Sequence, residues 1–272
     1  MPAKRRGGTP EQARAYRQAG HDDALEFARC LGLGTDYEND KTAKKDVIDP
    51  SGDAHSVKSG QKKWQIFLYR RSRFEKDDGF QALNGIGSLL IHCIDAFPPR
   101  RDDYIGNERA AKERLRTPMR EIKDRLRRQA LLRAFLMKAI FNGGEVKYLT
   151  IKHDGRFHIY HNEEIVQIMG EAFAVENSVA ARSDDPPEQK VLFKFNGKNV
   201  GELEMRNDSP SHYGEVRFNM IKPAFMDLLQ SHPLQSSNYS EDVVVYGKAI
   251  RTFGNWDWAP DWKKTASKAK KK

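Results

Sequence analysis

The sequence predicts an α/β chain of the α+β kind, on three observations. Ala24, Leu25, Phe27, Ala28 and Leu31 recur at helical spacing. The stretches VKYLTIK and RFHIYH instead alternate around His153-Asp154-Gly155, and Asp-Gly supplies the positive φ angles that a tight hairpin turn requires. The change of period falls at Asn142-Gly143-Gly144. It suggests a reactive part with a basic helix at 1–142 and a β-hairpin-rich recognition part at 143–262, followed by a disordered lysine-rich tail at 263–272. A single intertwined domain is the alternative.

The first helix opens at Thr9-Pro10-Glu11-Gln12, with Thr9 as N-cap and Gln12 completing a capping box, and ends before Gly32 and Gly34. DVID and AHSVKSG follow as two short strands around the turn Pro50-Ser51-Gly52-Asp53. KKWQIFLY is apolar enough to be buried, as strand or helix. Gly79 to Phe97 reads as one packed helix closed by Pro98-Pro99, and Thr117-Pro118 opens another that runs to Phe141. After the first hairpin come a helix over 163–173, the loop SDDPPEQ and a second hairpin, VLFKF and VGELEMR around Asn196-Gly197. The strand YGEVRFNM, a helix over 223–230 and the strand VVVYG complete the series.

Forty-seven Lys and Arg against 38 Asp and Glu leave a net charge of +9, which favours a polyanionic partner, nucleic acid first. Two cysteines make no disulfide framework, and MPAKRRGGTPEQ lacks an apolar signal, so a cytoplasmic setting is expected. No apolar run is long enough to span a membrane. Zinc-ligand spacing, a dinucleotide fingerprint, a Walker loop and a Gly-x-Ser-x-Gly elbow are all missing.

One constellation carries chemistry. Ser56 and Lys58 share a face of their strand, and a short turn brings Asp46 beside them. A carboxylate next to a lysine suits metal-assisted phosphodiester hydrolysis: the carboxylate holds a hard cation, and the ammonium orders water or stabilises developing charge. His55 alternates to the other face and is expected to be structural or exposed.

This stretch, DxxDxxGxxxxxKS, resembles the active-site signature of the PD-(D/E)XK nuclease superfamily, and within it the type II restriction endonucleases. The resemblance covers about 15 to 25 residues. It implies a restriction-endonuclease-like mixed central sheet flanked by helices, a Mg2+ cofactor held by Asp46, and Lys58 acting on the attacking water. It also implies double-stranded DNA as substrate and a homodimer that cuts both strands. Ser56 departs from the pattern, which has Asp or Glu there, and serine is a poor Mg2+ ligand. Glu26 on the preceding helix is the first candidate for the second metal-binding carboxylate, ahead of Glu38, Asp40, Asp49 and Asp53. Gln65, in the spacing Gln65-x-x-x-Tyr69, is an auxiliary candidate.

For DNA contact, 109–138 holds eleven Lys or Arg whose face suits phosphate, and Lys62, Lys63 and Arg70 follow the hairpin closely. Between two strands, Arg206, Asn207, Asp208, Ser209, His212 and Arg217 are dense in groups that read base edges. Lys147, Lys152 and Arg156 could support them. A repair or recombination nuclease of the same superfamily and a non-catalytic DNA-binding protein on a nuclease scaffold are the alternative readings.

Overall fold

The computed structural model describes residues 10–34, 46–180, 183, 185–207 and 209–254. The expected Thr9 cap, the side chain of Gln12, Glu38, Asp40, Asp208 and the lysine tail lie outside what is described. In chain order the elements are α1 (Pro10–Cys30), β1 (Val47–Ile48), β2 (Ala54–Lys58), β3 (Lys63–Tyr69), α2 (Arg71–Lys76), α3 (Asp78–Gln81), α4 (Ile86–Asp95), α5 (Arg101–Gly106), α6 (Glu108–Leu126) and α7 (Gln129–Phe141). They continue with β4 (Val146–His153), β5 (Arg156–His161), α8 (Asn162–Ala172), β6 (Ala174–Asn177), β7 (Lys190–Phe195), β8 (Lys198–Arg206), β9 (Glu215–Ile221), α9 (Lys222–Ser231), β10 (Ser236–Asn238), β11 (Val243–Tyr246) and α10 (Ala249–Thr252).

The class is α+β, with two sheets where the sequence suggested one central sheet. The first is mixed, in the order β1-β2-β4-β5-β11-β10, and the second is antiparallel, β3-β9-β8-β7-β6. The chain forms two compact units, one of residues 1–60, 145–162 and 234–272, the other of 61–144 and 163–233. Each sheet belongs to one unit. These units do not follow a sequential division at residue 142; the junction at Gly144 is one of four crossings. The physical reason lies in the first sheet, where β2 runs parallel to β4 and β5 parallel to β11. Parallel neighbours need a crossover connection, and here the two crossovers are long enough to build the second unit.

Two hairpins fold as their turn residues dictate: Asp154 and Gly155 have φ 48° and 76°, Asn196 and Gly197 48° and 75°. Trp64 to Tyr69 is strand. The single helix expected over 79–97 is broken into α3 and α4 by Asn84 and Gly85, with φ 49° and 79°. The helix expected to start at Thr117-Pro118 starts at Glu108, runs through Pro118 and stops at Leu126. Its buried stripe, Ala111, Leu115, Pro118, Met119, Ile122 and Leu126, continues across the proline, and burial of that stripe outweighs the lost backbone hydrogen bond. Among the described residues, no helix is long and apolar enough to cross a membrane.

In the first unit α1 lays Ala24, Phe27 and Ala28, with Leu31 just past its end, on Val47, Tyr148, Phe157, Ile159, Val243 and Val245. Within this apolar layer sits His55, fully buried and ringed by Phe27, Tyr148 and Phe253. The Asp49 carboxylate, 3.3 Å from His55 Nε2, can only accept, so Nε2 carries the proton and Nδ1 accepts from the Thr150 hydroxyl at 2.9 Å. Burial drives the His55 pKa below its ordinary 6.5, against the pull of Asp49 and with a further push from Lys147. His158 is lowered as well, mainly by burial.

Both shifts make the unfolded chain bind more protons than the folded one as pH falls through 6.5. Stability is therefore full above that value and declines below it. Thermal melts from pH 8 to pH 5 are expected to show Tm falling, at about 2–4 °C per kcal/mol lost. His55→Gln is expected to be less stable at pH 8 but to give a flatter profile. An equally steep profile in that variant would place the dependence elsewhere.

Candidate active site

The β1–β2 hairpin is tied by Asp49. Its Oδ1 accepts from the Ser51 amide at 2.9 Å, the Ser51 hydroxyl at 2.6 Å and the Asp53 amide at 3.0 Å, while Gly52 takes φ 87° to complete the turn. Burial alone would raise the Asp49 carboxyl, but the hydrogen bonds from His55 and Ser51 outweigh it and hold the group below its ordinary value. With the turn fixed, Val47 pairs with His55 and Ile48 with Ala54.

That register carries Asp46 alongside the end of β2. Asp46 Oδ2 accepts from the Val57 amide at 2.8 Å and lies 3.5 Å from both Ser56 Oγ and Lys58 Nζ. The Asp46 side chain is 41% exposed and that of Lys58 17%. A half-open carboxylate thus meets a mostly enclosed ammonium, and the three residues singled out from the sequence converge.

Glu26 does not join them. Along β2 and β4, Val57, Tyr148 and Thr150 face the layer under α1, and Lys152 continues that alternation. Glu26 Oε2 is bonded to Lys152 Nζ at 2.6 Å on this helix-covered face, beside Asp23 at 2.8 Å. Asp46, Ser56 and Lys58 point to the other face. Helical periodicity put Glu26 near the hairpin in sequence but could not say on which side of the sheet it falls.

The other described acids are also engaged: Asp49 in its turn, Asp53 with Lys147 at 2.6 Å. Among the described residues, no three His, Cys, Asp or Glu side chains are grouped to hold a metal. Asp46 alone fits a Mg2+ ion that keeps most of its water and takes further oxygens from a substrate phosphate, since Mg2+ is commonly bound by one or two carboxylates.

The remaining expected residues lie in the second unit. Gln65 is exposed on β3, opposite Asn219 of β9. Several expected DNA contacts are spent on acids of the antiparallel sheet. Arg217 forks onto Glu204, with Nε at 2.9 Å; Lys63 pairs with Glu202; Arg70 Nε and His212 Nδ1 meet the two oxygens of Glu215 at 2.8 Å each. Asn207 donates to the Tyr104 hydroxyl at 2.6 Å, and the Ser209 and Ser211 hydroxyls are 2.8 Å apart. Arg206 is half-buried at the end of β8 and Lys62 is exposed.

Glu202, Glu204 and Glu215, buried beneath these cations, were missed in the sequence. Their signal was nevertheless present: in VGELEMR the two glutamates alternate with Leu203 and Met205, which places them on the polar face of a half-buried strand. No family model, curated protein or solved structure matches the chain.

Arg217→Ala is expected to lower stability by about 1.5–3 kcal/mol, because it removes a charged hydrogen-bond partner from a buried carboxylate. Denaturant unfolding checks this. An unchanged midpoint would free Arg217 for recognition in place of a structural role.

Proposed function

We propose that the chain is a Mg2+-dependent endonuclease of double-stranded DNA, of the kind that type II restriction enzymes represent, with its centre at Asp46, Ser56 and Lys58. The observation that carries the reading is the meeting of Asp46 and Lys58, twelve residues apart, at the end of one hairpin. The mixed sheet under α1 is in keeping with the scaffold that the sequence resemblance implies.

Asp46 would hold the cation, which when bound supplies Lewis acidity to a phosphate oxygen. Lys58 is placed to hold the attacking water or to balance charge on the phosphate as the P–O bond breaks. The Ser56 hydroxyl and the Val57 amide donate to Asp46 and fix its orientation. The serine acts on the carboxylate and not as a ligand. Cutting both strands of a symmetric site calls for two centres related by a two-fold axis, hence a homodimer. With Arg217, Lys63, Arg70 and His212 holding acids, base reading falls to Arg206, Asn207, Asp208 and Ser209, with Lys62 on the backbone. Action in the cytoplasm follows from this substrate and from the cysteine usage.

Plasmid or phage DNA incubated with the protein in Mg2+ is expected to give discrete fragments. Asp46→Ala and Lys58→Ala are each expected to reduce the rate by about 10²–10³. Cleavage that follows DNA structure and not sequence would convert the reading to a repair or recombination nuclease. The single described carboxylate beside Lys58 also suits a DNA-binding protein that has lost catalysis. Binding with no cleavage in either Mg2+ or Mn2+ would establish that alternative.

A further inference from the structure

A basic concave surface of the second unit lies along α6. Arg116, Arg120, Lys123 and Arg127 follow one another at intervals of four, three and four residues, so they form one stripe on the helix. The C-terminal cap residue Arg127 completes a run of about 16 Å. With Glu176, Asn177, Ser178 and Glu188 on the facing wall, these side chains line a cleft of about 430 Å³, and Glu176 is itself paired with Lys194 at 2.5 Å.

The cleft has an internal occupant. Arg120 forks onto Glu188, Nε to Oε1 at 2.9 Å and Nη2 to Oε2 at 2.6 Å, and Arg116 Nε reaches Oε2 at 3.3 Å. Two guanidinium groups around one pair of oxygens is the geometry that recognises a phosphate as readily as a carboxylate. Hydrogen bonding from Arg120 also holds the Glu188 carboxyl below its ordinary range. Glu188 is held there at a backbone cost: its φ is 61°, in the left-handed region that glutamate seldom adopts, and its amide donates to the Ser178 carbonyl at 2.7 Å. Further along the stripe, Lys123 pairs with its exposed neighbour Asp124, and Arg127 Nε donates to the Val175 carbonyl and not to a carboxylate.

We infer that this cleft is a binding track for the phosphate backbone of double-stranded DNA, and that Glu188 occupies its Arg116–Arg120 end in the free protein and is displaced when a phosphate enters. The inference rests on DNA being the partner, as proposed above, but not on cleavage. The track supplies affinity without reading sequence, because every contact is to phosphate. Glu188 sets a threshold: an isolated phosphate gains little by exchanging with it, whereas a strand that also reaches Lys123 and Arg127 gains contacts that the glutamate cannot provide.

The test is binding of the full chain to a labelled 25-bp duplex of arbitrary sequence, followed by fluorescence anisotropy in EDTA from 50 to 200 mM KCl. The triple variant Arg120→Ala/Lys123→Ala/Arg127→Ala is expected to bind at least about tenfold more weakly at 100 mM. Its log–log salt slope should fall by about 2–3, at about 0.9 per lost phosphate contact. Lys123→Ala alone touches no buried partner and is expected to lose a slope of about one. Glu188→Gln is expected to bind several-fold more tightly. Thermal melts of each variant establish that it is folded. A triple variant within twofold of the parent and with the same slope would overturn the track. A folded Glu188→Gln that binds more weakly would overturn the displacement. Cleavage is assayed separately: a protein that needs the stripe to bind but cuts nothing sinks only the nuclease reading, and one that cuts with the stripe removed sinks only the track.

Discussion

Parallel pairing is the constraint on which the rest of the chain depends. β2 beside β4 and β5 beside β11 run in the same direction, so neither pair can be joined by a tight turn. The chain must leave the first sheet and return to it, twice. The excursions span residues 61–144 and 163–233, and together they close a second core of their own around Phe67, Phe135, Phe193 and Phe218. Connection and domain are thus one object. Within that second sheet Gly201 leaves room under Met220 and Phe218, whose atoms would stand 3.0 and 3.3 Å from an added Cβ. A side chain at 201 would oblige them to give by a few tenths of an ångström.

Within the first unit a division of labour among acids shapes the hairpin. Asp49 is enclosed and saturated by donors from Ser51, Asp53 and His55, and this makes the turn rigid. Asp46, three residues earlier, accepts from the strand end while keeping much of its surface open. A buried carboxylate with its hydrogen bonds made is structure, and a half-open one facing an ammonium is the one accessible to solvent. The same fifteen residues contain both, and the period of two along β2 separates them: His55 and Val57 serve the core, Ser56 and Lys58 the opposite face.

What could be read from the sequence was local. The Asp-Gly and Asn-Gly hairpins, the strands flanking PSGD and the convergence of Asp46 with Lys58 all follow from turn chemistry and alternation over fewer than twenty residues. What could not be read depends on partners distant in the chain. Glu26 was placed near the hairpin by its sequence position, yet Lys152, 126 residues away, holds it on the other side of the sheet. Pro118 carries a local signal to start a helix, but the apolar stripe on both sides of it is buried as one face. The discontinuous units are only partly marked in the sequence: Asn142-Gly143-Gly144 announces one crossing, whereas the crossing after Asn162 falls in the first turn of α8.

The same distinction governs the charge. A surplus of nine cations in the sequence does not say where on the surface the charge is left accessible. Arg217, Lys63 and Lys190 are drawn onto the buried Glu202 and Glu204 of the antiparallel sheet, where desolvated carboxylates require them. A dense cluster of Arg, Asn and His in the sequence is therefore a poor map of the surface that a ligand meets. Along α6 the paired acids, Glu188 and Asp124 among them, are more exposed, and Arg127 is held by a carbonyl that neutralises none of its charge. Exchange of a partly exposed pairing for a phosphate costs less desolvation, whereas withdrawal of Arg217 would leave the buried Glu204 to Lys190 alone. A cation is open to a polyanion only where its present partner can be given up, and that property is set by burial of the acid and not by the number of arginines.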